Sequence, residues 1–392
     1  MLSKLPQQPA DALLALIKLH NDDPRPTKID LGVGVYKTGQ GETPVFGAVK
    51  EAERRLVATQ DSKAYLGPEG DMGFVEAMMP YVFGAVDPTM NSRIEGMQTP
   101  GGTGSLRLAL AMVKRAEVRT VWMGTPSWPN HAQICGDLGL GMKNFSHAAA
   151  DGSADMPALR AAIAEAAEGD CFLLHGCCHN PTGIDYSNAD WDEIAALLAG
   201  KKLLPLLDLA YQGLGAGMEE DAYGVRRVIA EVPEAIIAYS CDKNFGLYRD
   251  RTGALYVMMA EPGQLKAAMS NGHALARANW SQPPDHGAAA ARIVMEDTGL
   301  TAQWLDELGQ MRTRMRQMRE RLGAAGKVGG VDLTPIAKQN GLFSIIPFTP
   351  EQVQAMRERH GVYFAGSGRI NVAGLTAGNI DQFIAAVAEV TG

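Results

Sequence analysis

Between residues 120 and 260 the chain alternates two hydrophobic patterns. Short, nearly unbroken apolar runs stand at 120–123, 171–175, 203–207, 235–239 and 254–259, and between them, at 156–167, 191–198 and 219–229, apolar residues recur every three or four positions. The first pattern predicts strands buried on both faces and the second amphipathic helices. Their alternation predicts an α/β fold with a mostly parallel sheet covered by helices. Upstream, helical spacing covers 11–20, 46–59 and 71–83, and the apolar run 29–36 is broken by Gly32 and Gly34, as at a strand end whose backbone approaches something closely. Thr-Pro-Gly-Gly-Thr-Gly at 99–104 opens a helix through Leu106, Leu110, Met112 and Val113, with no alternating strand expected to lead into it. Beyond residue 260 the pattern is helical, broken at Pro283-Pro284. Trp304, Leu305, Leu308, Met311, Met315, Met318 and Leu322 then step mostly by three and four and mark one helix of about six turns. A glycine-rich stretch at 323–330 ends it, and short strands follow near 343–346 and 370–372.

A chain of 392 residues is longer than one hydrophobic core usually supports. The expected division is a large domain at 46–311, a smaller α/β domain from 13–45 and 312–392, and an N-terminal arm, 1–12, lying on another subunit. Composition is that of a globular protein, and a net charge of −8 without a long basic stripe argues against a nucleic-acid partner. The five cysteines are odd in number, lie in or beside apolar runs and lack zinc-ligand spacing, which points to reduced core thiols and no metal. With no leader-like N-terminus and no long apolar span, the expected setting is the cytoplasm, away from membranes.

Ligands of parallel α/β sheets sit at the carboxyl ends of the strands, so the residues there carry the chemistry. After 171–175 comes a turn with Asn180, after 203–207 come Asp208 and Tyr211, and after 235–239 come Ser240 and Lys243, with Arg251 downstream. The glycines at 101–104 add a helix N-terminus, whose free N–H groups and dipole attract anions. A phosphate cradle, an acid, a phenol, an amide and a lysine at one sheet edge are what pyridoxal 5'-phosphate requires. Lys243 supplies the amine, Asp208 the carboxylate for the pyridine nitrogen, and Asn180 and Tyr211 the donors to its phenolate. Gly102, Thr103, Ser240 and Arg251 form the phosphate site. Burial and the cations Arg249 and Arg251 are expected to lower the pKa of Lys243, with Arg251 the phosphate ligand and Arg249 a bystander.

Ordered blocks then extend the picture. They include Gly32-Val33-Gly34-Val35-Tyr36, Tyr65-Leu66-Gly67, Pro126-Ser127-Trp128-Pro129-Asn130-His131, Asn180-Pro181-Thr182-Gly183, Lys243-Asn244-Phe245-Gly246-Leu247-Tyr248, Arg277-Ala278-Asn279 and Gly368-Arg369-Ile370-Asn371. With them the chain resembles, nearly end to end, a class I aminotransferase of the aspartate and aromatic-amino-acid branch. The resemblance implies a fold type I pyridoxal-phosphate transferase and a homodimer whose sites are shared across its interface. It implies that Trp128 stacks on the cofactor ring, His131 supports Asp208, and Gly34, Trp128, Asn180 and Arg369 contact the substrate, Arg369 taking its α-carboxylate. Tyr65 would reach the phosphate, and Arg277 a second carboxylate, in the neighbouring subunit's site. The implied reaction is ping-pong transfer of the amino group of aspartate, phenylalanine or tyrosine to 2-oxoglutarate. In it Lys243 alternates between covalent link and general base. A strictly aromatic donor, or a non-catalytic regulatory protein on the same fold, are the alternatives. Two positions depart from the family pattern: Asp242, where a small or hydroxylated residue is usual, and Thr252, where an aliphatic one is.

Overall fold

The computed structural model describes residues 2–7, 12–85, 90 and 92–392, so the start of the predicted 11–20 helix and part of the predicted arm lie outside the described residues. After the Ala12–Asp22 helix, β1 (Ile29–Asp30) pairs in parallel with a distant strand described below. The central sheet comprises β2 (Ile94–Pro100), β3 (Thr120–Thr125), β4 (Gly141–Ser146), β5 (Cys171–His175), β6 (Leu204–Leu209), β7 (Ala235–Ser240) and β8 (Thr252–Met258). Their order is β2-β8-β7-β6-β5-β3-β4. Strands β4, β3, β5, β6 and β7 run parallel, and β8 is antiparallel to both its neighbours. The reason lies in the connection: residues 241–251 turn back at the edge where β7 ends, and a short return can only produce an antiparallel partner.

Alternation along the strands divides the interior into two cores, one on each face of the sheet. Phe172 and Leu174 of β5, Leu207 of β6 and Ile237 of β7 belong to one. Cys171, Leu173, Leu206 and Ile236 belong to the other. Both faces are therefore covered, which is why these strands read as continuous apolar runs. A third core gathers Ile29 and Leu31 with Ile336, Ile346, Val362, Ile370 and Phe383. Around it lie β9 (Lys327–Val328) with β10 (Val331–Asp332), β11 (Phe343–Ile345), β12 (Val362–Tyr363), which is the partner of β1, and β13 (Arg369–Asn371), antiparallel to β11. The Thr298–Ala324 helix, 27 residues long, links two of the cores. Leu308, Met311 and Met315 pack into the first, Met318 and Leu322 into the third.

Two strands differ from expectation. β2 does lead into the glycine-rich helix, contrary to the sequence reading: it is nearly all buried and pairs along its length with β8, so its polar Gln98 and Thr99 are interior. β4 is an edge strand with five of its six residues exposed, so it carries little hydrophobic pattern to detect. Most helices follow the predicted spans within a few residues; the predicted start at 219 is a short 3-10 turn, Glu220–Ala222, ahead of Tyr223–Glu231.

Candidate active site

Strand register places the chemistry. His175 at the end of β5 lies opposite Asp208 of β6, Asp208 lies opposite Ala238 of β7, and Ser240 lies opposite Gly253 of β8. Beside them β2 ends at Pro100, and the Gly101–Arg115 helix begins with Gly101 at a φ of 67°. A Cβ at Gly253 would fall 2.6 Å from the Tyr239 carbonyl oxygen and 2.7 Å from the Gly101 carbonyl carbon. Only glycine lets the helix start approach the sheet this closely.

The strand ends and this helix start line a cavity of about 210 Å³. Its wall includes Gly34, Gly102, Thr103, Trp128, Asn180 and Asp208. Tyr211, Ser240, Lys243 and Arg251 are the other predicted residues on it, and Asp242, His175 and Tyr248 also face it. Ten of the fourteen predicted site residues thus share one cavity.

Lys243 reaches into this space with Nζ 5.0 Å from the centre of the Tyr211 ring. Burial pulls its pKa below the ordinary lysine value, while the carboxylates of Asp242 and Asp208 oppose that shift and Arg251 adds to it. The expected cause is therefore amended: burial leads, one arginine contributes, and two acids pull the other way. Arg249 is exposed, as its bystander role requires. Arg251, at a φ of 55°, donates from Nη1 to Asp242 Oδ2 at 2.5 Å and to the Tyr248 carbonyl at 3.0 Å.

Asp208 is buried and bonded to His131, with Oδ2 3.0 Å from Nε2; the other ring nitrogen of His131 is 2.9 Å from Ser127 Oγ. Burial pushes the Asp208 carboxyl up, but the His131 hydrogen bond and the nearby His175 and Lys243 outweigh it, holding it below its ordinary value. Its other oxygen, Oδ1, is buried with no hydrogen-bond partner. A buried carboxylate oxygen left bare wants a donor, and a protonated ring nitrogen entering the cavity supplies one. Behind Asp208 four imidazoles form a chain of ring contacts: His131 to His175 at 5.0 Å and His175 to His179 at 4.3 Å, both tilted, and His179 stacked on His147 at 3.4 Å with the rings nearly parallel.

Asn180 Nδ2 donates to the Tyr211 hydroxyl at 3.2 Å, so both predicted phenolate donors sit together. Arg369 stands over the Phe343 ring, with its guanidinium carbon 4.4 Å from the ring centre, and Nη2 donates to the Gly32 carbonyl at 3.1 Å. Its Nε is buried and unbonded, and it has no carboxylate partner among the described residues. The predicted close approach of the 29–36 backbone is visible here: a Cβ at Gly34 would fall 2.9 Å from the Phe343 ring.

Four predicted residues are not on its wall: His131 and Arg369, described above, and Tyr65 and Arg277. Tyr65 is 91% exposed, and Arg277, near the end of the Pro262–Trp280 helix, is exposed and bonded to Ser281. They share one face, because Leu66 N–H donates to Gln282 Oε1 at 2.8 Å and so joins the Tyr65 loop to that helix end. His175 is a wall residue that sequence reasoning left without a role; its position at a strand's carboxyl end was the available signal.

The donor set fits the expected cofactor. A lysine, a bare carboxylate oxygen, a phenol with its amide and a helix N-terminus converge, and at Gly102 an added Cβ would sit 2.9 Å from Ser240 Cβ, closing the cradle. The sequence profile of the family described as aminotransferase class I and II matches residues 26–387. A tyrosine aminotransferase of Rhizobium meliloti (strain 1021) is 46% identical over 382 residues, 96% of each chain. An aspartate aminotransferase of Salmonella typhi is 42% identical over the whole of both chains. The crystal structure of an aromatic-amino-acid aminotransferase from Burkholderia pseudomallei, covalently bound to pyridoxal phosphate, superposes with a TM-score of 0.94 at 34% identity, covering all of both chains.

Proposed function

The chain belongs to the class I and II aminotransferases, and on that premise we infer that it moves the amino group of aspartate and aromatic L-amino acids to 2-oxoglutarate by a ping-pong mechanism. Because it is a transaminase, the non-catalytic alternative falls away. The observation that carries the substrate reading is the pairing of Lys243 in the cavity with a half-buried arginine, Arg369, whose buried Nε is unbonded and which lacks a carboxylate of its own among the described residues.

Bound pyridoxal phosphate supplies an aldehyde for amines and an electron sink for the Cα bond electrons. Lys243 Nζ, biased toward the neutral amine by burial, is the group that would hold the cofactor through its aldehyde and would move the substrate's Cα proton. Asp208 Oδ1 holds the pyridine N–H, with His131 fixing the carboxylate's other oxygen. Asn180 and Tyr211 orient the phenolate oxygen, Trp128 covers the ring, and Gly102, Thr103, Ser240 and Arg251 hold the phosphate. The Arg369 fork takes the α-carboxylate in two parallel hydrogen bonds, fixing the Cα beside Lys243.

The division into a large domain at 46–311 and a small one at 13–45 and 312–392 is supported by the separate third core. A homodimer with shared sites is supported by the exposed Tyr65 and Arg277 on one face and by Leu2 and Leu5, 82% and 71% exposed in the N-terminal segment. Its partners are small amino and oxo acids, with neither nucleic acid nor membrane; among the described residues no helix is long and apolar enough to cross a membrane. Five free, buried cysteines suit the cytoplasm. A strictly aromatic donor is the second reading, favoured by the 46% identity to a tyrosine aminotransferase. Specificity constants for aspartate, phenylalanine and tyrosine against 2-oxoglutarate separate the two.

Lys243→Arg tests the central claim. It keeps the positive charge but removes an amine able to lose its proton near neutrality. We expect turnover to fall below detection with an unchanged circular-dichroism spectrum. A variant transaminating near the wild-type rate overturns the assignment.

A further inference from the structure

We propose that Asp242 couples capture of the cofactor's phosphate to uptake of one proton, its carboxylate holding Arg251 until a phosphate replaces it. This rests on the cofactor reading above and deepens it.

The geometry is that of an anion site already holding an anion. Arg251 is the cation of the cradle, and Asp242 Oδ2 sits 2.5 Å from its Nη1. The same oxygen lies 3.2 Å from where a Cβ on Gly101 would be, at the start of the helix whose N-terminus attracts negative charge. Asp242 lines the cavity beside Ser240, Lys243 and Arg251, and is 4% exposed. A phosphate dianion arriving there meets a buried carboxylate that solvent does not screen, and like charges so placed disfavour one another's ionisation.

The second oxygen indicates how the conflict is resolved. Asp242 Oδ1 is buried and has no hydrogen-bond partner. An ionised carboxylate can only accept, so beside phosphate oxygens it adds repulsion; a protonated one donates, and Oδ1 becomes the bearer of an O–H aimed at a neighbouring acceptor. No covalent bond changes: one proton leaves solvent and is shared between Asp242 and the phosphate. The groups facing Asp242 are Lys243 and Arg251, whose positive charge favours its ionised form, Ser240, whose Oγ accepts from the Asp242 N–H at 3.3 Å, Cys241 and Tyr248, and the helix N-terminus at Gly101. Burial outweighs the favourable partners and raises its pKa. That shift is in the direction proton uptake needs.

Equilibrium dialysis of the full-length protein against pyridoxal phosphate from pH 5.5 to 9 measures the coupling, with bound cofactor read after alkaline release. Asp242→Asn keeps shape and offers an N–H donor at every pH; Asp242→Ser, smaller, is the second variant. Titrations of the cofactor's own phosphate are common to all three proteins. In the upper part of the range, wild-type log Kd should therefore rise with pH about one unit per pH unit more steeply than in either variant. At pH 8.5 both variants should bind at least tenfold more tightly. Pyridoxal, which lacks the phosphate, is the control and should show no excess slope. Equal slopes with pyridoxal phosphate overturn the proposal while leaving the cofactor reading intact. An excess slope with pyridoxal also overturns it, because the proton would then belong to Lys243. Failure of the wild type and both variants to bind pyridoxal phosphate at any pH overturns this proposal and the cofactor reading together.

Discussion

Arg369 shows how much a single side chain decides. It stands over the Phe343 ring, with Nη2 tied to the Gly32 carbonyl and Nη1 in a long, 3.5 Å hydrogen bond to Asn180 Oδ1, while Nε is left unbonded for a ligand. Lysine at this position keeps the charge but loses the planar fork, and a charge-assisted hydrogen bond is worth about 1.5–3 kcal/mol. Arg369→Lys should therefore lower kcat/KM for every amino donor by roughly 10- to 100-fold. Equal kcat/KM in steady-state assays for aspartate and phenylalanine refutes the role. At this scale the sequence was informative about residue types at strand ends, because Asp208, Ser240 and Lys243 follow apolar runs whose register the parallel sheet fixes. It was silent about pairing across segments. That Arg251 would be engaged by Asp242, nine residues away, and that Asp208 would keep one oxygen bare depends on how the 241–251 return folds over the sheet edge.

Among elements, the β5 end and its following turn pack His175 and His179 against His131 and His147, from two other segments. Burial pulls His147 down to about 4 and His175 to about 3, and His179 well below its ordinary value. Their folded-state values lie below the unfolded value near 6.5, so the unfolded chain binds more protons. The contribution to stability is complete above about pH 6.5 and is lost as pH falls toward 4 through the folded value of His147. Each such histidine adds up to about 1.4 kcal/mol per pH unit to the slope. Urea unfolding between pH 7.5 and 4.5 should give a shallower stability slope for His147→Gln than for wild type; identical slopes would show that His147 is not held neutral by the fold. The elements themselves were legible where burial covers both faces or one clean stripe, as in β5 and the Thr298–Ala324 helix. They were illegible where polar residues are interior, as in β2, or where a strand is an exposed edge, as in β4.

The whole molecule leaves its own Tyr65 and Arg277 outside its cavity, on one face joined by the Leu66–Gln282 hydrogen bond. In a lone chain the arginine is ordinary surface charge, whereas in the two-fold dimer proposed above that face would meet the partner's site, each subunit completing the other. Complementation distinguishes these cases. Lys243→Ala and Arg277→Ala proteins, each nearly inactive on aspartate, are mixed, unfolded and refolded together. A mixed dimer then has one site with both residues, since the Lys243 of one subunit meets the Arg277 of the other, and one site with neither. Random pairing makes half the dimers mixed, so aspartate activity should recover to roughly a quarter of wild type. Sites built from one chain, or a monomer, give no recovery at all. In the half-reaction with the amino donor alone, which leaves out the dicarboxylate 2-oxoglutarate, phenylalanine has no second carboxylate for Arg277 and should already react with the Arg277→Ala protein, so the recovery read in that half-reaction should be specific to the dicarboxylic donor.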